Sequence, residues 1–346
     1  MSSRPDPQAE TAPADAAAFD LTVSIATYDR PALLERTLRS VLAQVNRLGL
    51  RMEILVTDNH PSGNGREATD RVAGEAAMPV RYQQELARNM SVLRNAGIAA
   101  ARGALLAFID DDEFADPDWT DELVGCLRRT RADIVVGPRL AVFASGHAPA
   151  YDPTGSYFAR DLHLPPDAQI PLVRSDGKHQ FGLGTGNSLF RMDRCFPGAA
   201  SGALPFDLGF GNAGGEDSEV FVRLYKSGRT IVWAAAARVT ETVPEHRTTI
   251  AYRLLRTRRE TQAYVNTYLF HAPHPRRVWL SLMGKGLLQL AAGTAITVLT
   301  AEFLSDSRLK GRLLMTHGLT KLQWHKPVGY IDEPSFHTVP TNIPAA

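Results

Sequence analysis

The sequence predicts an α/β protein: a Rossmann-like, mostly parallel sheet with helices on both faces, followed by a C-terminal helical segment that associates with a membrane. Three observations carry this. Short β-branched apolar runs alternate with stretches of helical periodicity over short connections, the pattern of parallel strands joined by right-handed crossovers. Three of the apolar runs end in acidic or amide residues. The last hundred residues join a long apolar run to clustered Arg and Lys.

Residues 1–19, rich in Pro, Ala and acid, read as a disordered tail; they contain no apolar h-region and so no signal peptide. "LTVSIATYD" (Leu21 to Asp29) is a buried strand. Pro31 suits the first turn of the helix that follows, where Leu33, Leu34, Leu38, Val41 and Leu42 lie near helical spacing. "MEILVTDN" (Met52 to Asn59) is a second strand, "HPSGNGRE" a loop and "MPVRYQQE" a third strand. "NMSVLRNAGIAAARG" is a helix closed by Gly103, and "ALLAFID" a fourth strand. Asp116 and Pro117 open the helix "PDWTDELVGCLRRT", and "ADIVVGPRLAVF" is a fifth strand. Between residues 145 and 185 Pro and Gly accumulate, which reads as a mobile excursion over the sheet. "SLFRMDRCF" is a strand or short helix. A glycine-rich loop then leads into a helix with Val220, Phe221, Leu224 and Tyr225 on one side, and "RTIVWAAAARVTETV" is the last strand. The α/β domain is expected over 20–260 and the helical segment over 261–346.

The chain has 346 residues, 44% of them hydrophobic, and a formal net charge of +1, which points to no nucleic-acid partner. Charge is unevenly spread. Residues 1–246 carry 25 Lys+Arg against 32 Asp+Glu (net −7), and residues 247–346 carry 13 against 5 (net +8). A basic C-terminal segment suits an anionic surface such as membrane lipid. Two cysteines, Cys126 and Cys195, offer neither metal-binding spacing nor a disulfide framework.

In open α/β sheets ligands sit beyond the carboxyl ends of the strands. Three such ends are polar here: Thr27-Tyr28-Asp29, Asp58-Asn59 and Asp110-Asp111-Asp112. Converging on one edge, they would build an anionic pocket. Asp110 and Asp112 are either solvated carboxylates at a helix opening or ligands of a hard divalent cation, Mg2+ or Mn2+, which takes one or two carboxylates and completes its shell with water and phosphate. Glu216 and Asp217 are either a helix-opening acid pair or the seat of a general base. Arg94 is either a solvated helical charge or a phosphate clamp. Asp58 is either solvated at its strand end or an acceptor for a base or ribose.

The blocks "VSIATYDRPALLERTLRSVLAQ", "EILVTDN", "VLRNAGIAAARGALLAFIDDDE", "TGNSLFR" and "FDLGFGNAGGEDSEVFVRLYKSG", in this order, resemble family 2 glycosyltransferases of the GT-A fold. "ARVTETVPEHRTT" is similar to the bacterial polysaccharide branch that includes the succinoglycan-biosynthesis transferases. The resemblance implies an enzyme that moves a sugar from a nucleotide-diphosphate sugar to an acceptor hydroxyl with inversion, assisted by Mn2+ or Mg2+. It implies that Thr27, Tyr28, Asp29 and Arg30 line the nucleotide pocket, that Asp58 bonds the base and that Arg94 contacts the nucleotide. Asp112 would hold the metal, Asp110 would lie against the ribose or a metal water, and Asp217 would be the base. Asp111 makes the acidic pair a triplet, so the ligand set is open by one position, and His246 is a further metal candidate. A nucleotidyltransferase or a non-catalytic membrane-bound nucleotide-sugar binder are the competing readings.

"VWLSLMGKGLLQLAAGTAITVLTAEFL" (Val278 to Leu304) is apolar apart from Lys285 and Glu302, with basic flanks and Trp279, Trp324 and Tyr330 as interface candidates. It reads as an interfacial hairpin or a single span at the cytoplasmic face of the inner or plasma membrane, beside a lipid-linked or saccharide acceptor; the competing reading is a helix buried against the α/β domain.

Overall fold

The computed structural model describes residues 18–172, 182–212, 214–300 and 305–326. The expected tail falls almost wholly outside these residues, as do Tyr330 and part of the 145–185 segment. The chain opens with β1 (Phe19–Thr27), α1 (Pro31–Leu42), β2 (Met52–Asp58), α2 (Gly65–Glu75), β3 (Val80–Gln84), α3 (Met90–Ala100) and β4 (Gly103–Asp110). There follow β5 (Glu113–Ala115), α4 (Trp119–Thr130), β6 (Ile134–Val136), β7 (Arg139–Phe143), β8 (Ser188–Arg191), the single turn α5 (Met192–Cys195) and α6 (Glu216–Lys226). Two short strands, β9 (Ile231–Trp233) and β10 (Val239–Val243), precede the helices α7 (Ile250–Phe270), α8 (Pro275–Leu299) and α9 (Ser305–Leu322).

Seven strands form one sheet in the order β3-β2-β1-β4-β8-β6-β9. β1 pairs parallel with β2 and β4, so Thr27 stands opposite Asp58 and Ala26 opposite Asp110. That register brings the three polar strand ends to one edge. Alternation along β4 feeds two cores, Ala107 and Ile109 on one face and Leu106 and Phe108 on the other. Leu21, Val23 and Ile25 pack with Leu34, Leu38, Val72, Trp119 and Leu123 on one face. On the other, Phe108 of β4 packs with Ile98, Phe190, Val220 and Phe221. Helices therefore cover both faces, as the alternating pattern predicts.

Several expectations are corrected. β8 runs antiparallel to both β4 and β6, which makes the sheet mixed. A second sheet, β5-β10-β7, lies beside the first. The expected fifth strand is two strands in different sheets, broken at Gly137-Pro138; a Cβ on Gly137 would lie 2.2 Å from the Ala237 carbonyl, so two backbones cross there. The expected last strand divides in the same way into β9 and β10. α2 has no counterpart in the sequence reading, because its buried face is only Gly65, Ala68, Thr69 and Val72. Gly103 begins β4 and does not close α3, whose last cap, Ala101, is extended. Asp118, not Asp116, stands at the α4 cap position and makes no side-chain cap bond. The segment 145–172 is anchored: bridges join Arg139 to Arg160 and Gln169 to Val232.

α8 and α9 form an antiparallel hairpin locked through glycine. A Cβ on Gly293 would meet Met315 N at 2.6 Å and the Gly311 carbonyl at 2.7 Å, and one on Gly318 would meet the Gly286 carbonyl at 2.5 Å. α7 packs against both helices of the hairpin and against α6.

Candidate active site

A cavity of about 830 Å³ lies over the carboxyl edge of the central strands, walled by the β1 and β4 ends, the 182–184 loop, the N-terminus of α6, the small sheet and α7. It brings together Thr27, Tyr28, Arg30, Arg94, Asp110, Asp111, Asp112, Glu216 and Asp217. Asp29 and Asp58 stay outside its lining. Asp58 is fully buried and its oxygens are occupied: Oδ1 accepts from the His60 amide (2.8 Å), and Oδ2 from the Gly65 amide (2.9 Å) and the Tyr82 hydroxyl (2.8 Å). It fixes the start of α2. Asp29 takes a left-handed φ of 56° and accepts from Asn64 at 2.6 Å. His246 also lies outside; its neighbour Arg247 lines the cavity.

The four acids at the end of β4 diverge, with Asp111 and Asp112 sharing Arg30. Asp110 pairs with Arg94 Nη2 at 3.1 Å. Asp111 accepts from the Thr27 hydroxyl at 2.8 Å and from Arg30 at 3.1 Å. Asp112 accepts from Arg30 Nη1 at 2.8 Å and has Arg247 at 3.8 Å. Glu113 turns back, accepting from the Asp110 amide at 3.0 Å, with Arg139 at 4.0 Å. Burial pushes Asp112 up to about 7; Arg30 and Arg247 pull against that, while Glu241 and Asp111 add to it. Burial and then Asp110 hold Glu113 well above the carboxylate range. Burial is the first cause of both shifts and neighbouring carboxylates add to it, a setting in which a cation would favour the charged form of the acids.

The donor set fits a hard divalent ion in that respect. All three aspartates line the cavity; Asp110, at 32% side-chain exposure, is the most open, while Asp111 and Asp112 are held against Arg30. No group of three or more metal-type side chains forms a complete cage among the described residues. That is compatible with Mg2+ or Mn2+, which completes its shell with water and phosphate oxygens. Gly186 is required for this arrangement, since a Cβ there would lie 2.6 Å from Asp110 Oδ2.

Asp217 is gripped from one side. The Thr185 amide donates to Oδ2 at 3.0 Å and its hydroxyl to Oδ1 at 2.9 Å. Thr185 is itself held by Arg160, whose guanidinium, besides bonding Gly137, donates to the carbonyls of Gly184 (2.9 Å) and Asn187 (3.1 Å) and to that of Gly186. Burial draws Arg160 down to about 10, with Arg139 adding to the effect. Beside Asp217, Glu216 is buried, its Oε2 has no hydrogen-bond partner among the described residues, and burial followed by the Asp217 charge pushes it up to about 8. Arg94 is buried beneath both acids; its Nε and Nη1 lack hydrogen-bond partners among the described residues. Desolvation opposes its charge, but Asp217, Asp110 and Glu216 raise its pKa above the ordinary value.

Sequence reasoning missed Thr185, Arg160, Arg139, Glu241 and Arg247. Thr185 lies inside the "TGNSLFR" block, but nothing in that block shows which carboxylate it faces. Arg139 and Arg160 come from segments with no motif, while Glu241 and Arg247 lie inside the "ARVTETVPEHRTT" block, which assigns them no role.

A cavity of mixed acids and arginines at the carboxyl edge of an α/β sheet is the setting of an enzyme that handles a charged ligand. The model of "Glycosyl transferase family 2" matches residues 22–193. The succinoglycan biosynthesis protein ExoM of Rhizobium meliloti is 31% identical over 261 residues, 75% of this chain and 78% of that protein. Validoxylamine A glucosyltransferase of Streptomyces hygroscopicus subsp. jinggangensis is 27% identical over 158 residues, 44% of this chain and 35% of that one. Among solved structures, the mannosyltransferase PcManGT from Pyrobaculum calidifontis, in complex with GDP-Man and Mn2+, superposes with a TM-score of 0.55 at 16% identity, covering 88% of this chain and 87% of its own. The chain belongs to glycosyltransferase family 2, in its succinoglycan-biosynthesis-like branch, and is a glycosyltransferase of GT-A fold.

Proposed function

We propose that the chain transfers a sugar from a nucleotide-diphosphate sugar to an acceptor hydroxyl, with inversion, in the synthesis of a cell-surface polysaccharide or glycolipid. The observation that carries this reading is Asp217: a carboxylate on the cavity wall, oriented through both oxygens by Thr185 and 4.0 Å from the Arg94 guanidinium. An oriented carboxylate of this kind is suited to accept the proton of an attacking hydroxyl. Thr27, Tyr28 and Arg30 stand at the β1 end, where the nucleotide would lie, and Arg94 lines the same cavity, where its charge would attract a diphosphate. Asp110 and Asp112 are the residues that would hold Mn2+ or Mg2+, with Asp111 turned toward Thr27 and Arg30. When bound, such an ion neutralises charge on a departing diphosphate. Donors named for neighbouring folds, GDP-Man among them, agree with a nucleotide-sugar donor. The name of ExoM, a succinoglycan biosynthesis protein, agrees with a polysaccharide setting, and the acceptor of this reading is lipid-linked or a saccharide. α8 is long and apolar enough to cross a bilayer by length and composition, in keeping with a place at the cytoplasmic face of a membrane, peripheral or single-pass.

The test separates binding from chemistry. Asp217→Asn should keep the donor-induced thermal shift and lose about 10²–10⁴-fold in transfer, the usual weight of a general base. Full turnover by this variant sinks the base assignment. Chelation should weaken nucleotide-sugar binding in the parent protein; indifference to chelator removes the metal from the reading.

A further inference from the structure

The sequence left open whether the apolar C-terminal run spans a bilayer or lies on it. We infer that α8 and α9 together form an in-plane docking element that enters one leaflet of an anionic membrane, α8 lowermost, and that neither helix crosses. This deepens the membrane location proposed above and rests on it.

α8 is apolar on an exposed stripe. Leu280, Leu287, Leu288, Val298 and Leu299 are 63%, 59%, 73%, 75% and 83% exposed. Ala291 and Ala295 continue the same stripe at helical spacing. Gly286 and Gly293, which touch the α9 backbone, fall on the opposite side of the helix. The apolar stripe therefore faces away from α9, and α9 covers the other side.

α8 as a whole, 25 residues, is long enough to cross, so the placement of charge decides between lying and crossing. Between Lys285 and the end of α8, Gly286–Leu299 is fourteen residues, about 21 Å at 1.5 Å per residue. On α9 the uncharged stretch from Leu313 to Thr320 is eight residues, about 12 Å. A hydrocarbon core is about 30 Å thick. The glycine contacts prevent α8 from leaving α9 behind, because backbone meets backbone at Gly293–Gly311 and Gly286–Gly318. Crossing would therefore drag Lys310 and Arg312, or Lys321, into the core, at high cost. Lying flat costs nothing of this kind. The α8 stripe enters the acyl boundary, and Arg276, Arg277 and Lys285 of α8 with Lys310 and Arg312 of α9, all exposed, stand at headgroup depth. These cations also select the occupant. A second copy seated on the stripe would oppose like charges, whereas an anionic leaflet pairs with them.

The full-length chain, mixed with sealed vesicles of phosphatidylcholine with or without phosphatidylglycerol, tests this. Two thiol-reactive dyes report depth, one on Leu288→Cys and one on Lys310→Cys; Cys126 and Cys195 are buried. Binding should be about tenfold tighter with phosphatidylglycerol and should weaken as salt rises. The Leu288→Cys dye should become shielded from external iodide on vesicle binding, and the Lys310→Cys dye should stay quenchable from outside. A Lys310→Cys dye that becomes inaccessible means a span and overturns the proposal. So does a Leu288→Cys dye that remains quenchable on vesicles, or one already shielded in a lipid-free dimer. Leu287→Glu with Leu288→Glu should abolish vesicle flotation, and retained flotation also overturns the proposal. The donor-induced thermal shift, measured on the same variants, reads the cavity alone, so failure at the membrane is distinguishable from failure of the transferase reading.

Discussion

Thr185 holds both oxygens of Asp217 and so fixes the direction in which the carboxylate presents a lone pair. Thr185→Val removes the hydroxyl bond and keeps the shape. It should lower kcat about tenfold or more while leaving donor affinity intact, because orientation matters to proton transfer and not to nucleotide binding. Steady-state kinetics with a separate donor titration checks this; a change confined to donor affinity contradicts it. Glu216 yields a second prediction. Burial lifts its pKa in the folded chain to about 8, above the ordinary carboxylate value. Between those two values the folded state keeps a proton that the unfolded chain has lost. The stability this group contributes is present at acid pH and is lost as pH rises through about 8. Glu216→Gln keeps a neutral side chain at every pH, so its Tm should fall less than that of the parent between pH 5 and 8. Parallel Tm profiles would show that Glu216 ionises normally.

At the scale of elements, the α8–α9 pairing depends on the absence of side chains. In an isolated helix Gly→Ala stabilises by about 1 kcal/mol. At Gly293 the added methyl would press on Met315 N and the Gly311 carbonyl, both backbone. Gly293→Ala should therefore invert the usual sign, separating the helices and exposing the hairpin to protease, while Gly284→Ala, where a Cβ meets nothing within 4 Å, should be neutral or stabilising. Limited proteolysis of the two variants side by side decides it. The elements around the sheet were legible where periodicity was strong: β1, β2, β4, α1, α3 and α6 lie close to where apolar spacing puts them. They failed where a backbone crossing intervenes. "ADIVVGPRLAVF" looks like one strand because local pattern carries no signal that Gly137 must pass the Ala237 carbonyl. α2 was missed because its apolar face is too narrow to register.

For the whole molecule, removing residues 274–346 should abolish vesicle binding and leave a soluble domain that still shows a donor-induced thermal shift. It should also lower Tm, because Gln262 of α7 donates to the Trp324 (2.7 Å) and Lys326 (2.9 Å) carbonyls and would lose these two bonds. Loss of the donor response would mean that α7, which lines the cavity, needs the hairpin to hold its place. By itself the sequence determined the alternation of strands and helices, the polar ends of three strands, and the block order that marks the family, because these are local: spacing and composition suffice to write them. Only the tertiary structure decided which acids share a cavity. Asp58 closes on the start of α2 while Asp110 opens toward Arg94, and Asp217 meets Thr185 across 32 positions of chain. A carboxylate's role follows from which donors reach it, and those donors come from elements far apart in sequence whose meeting no local pattern encodes.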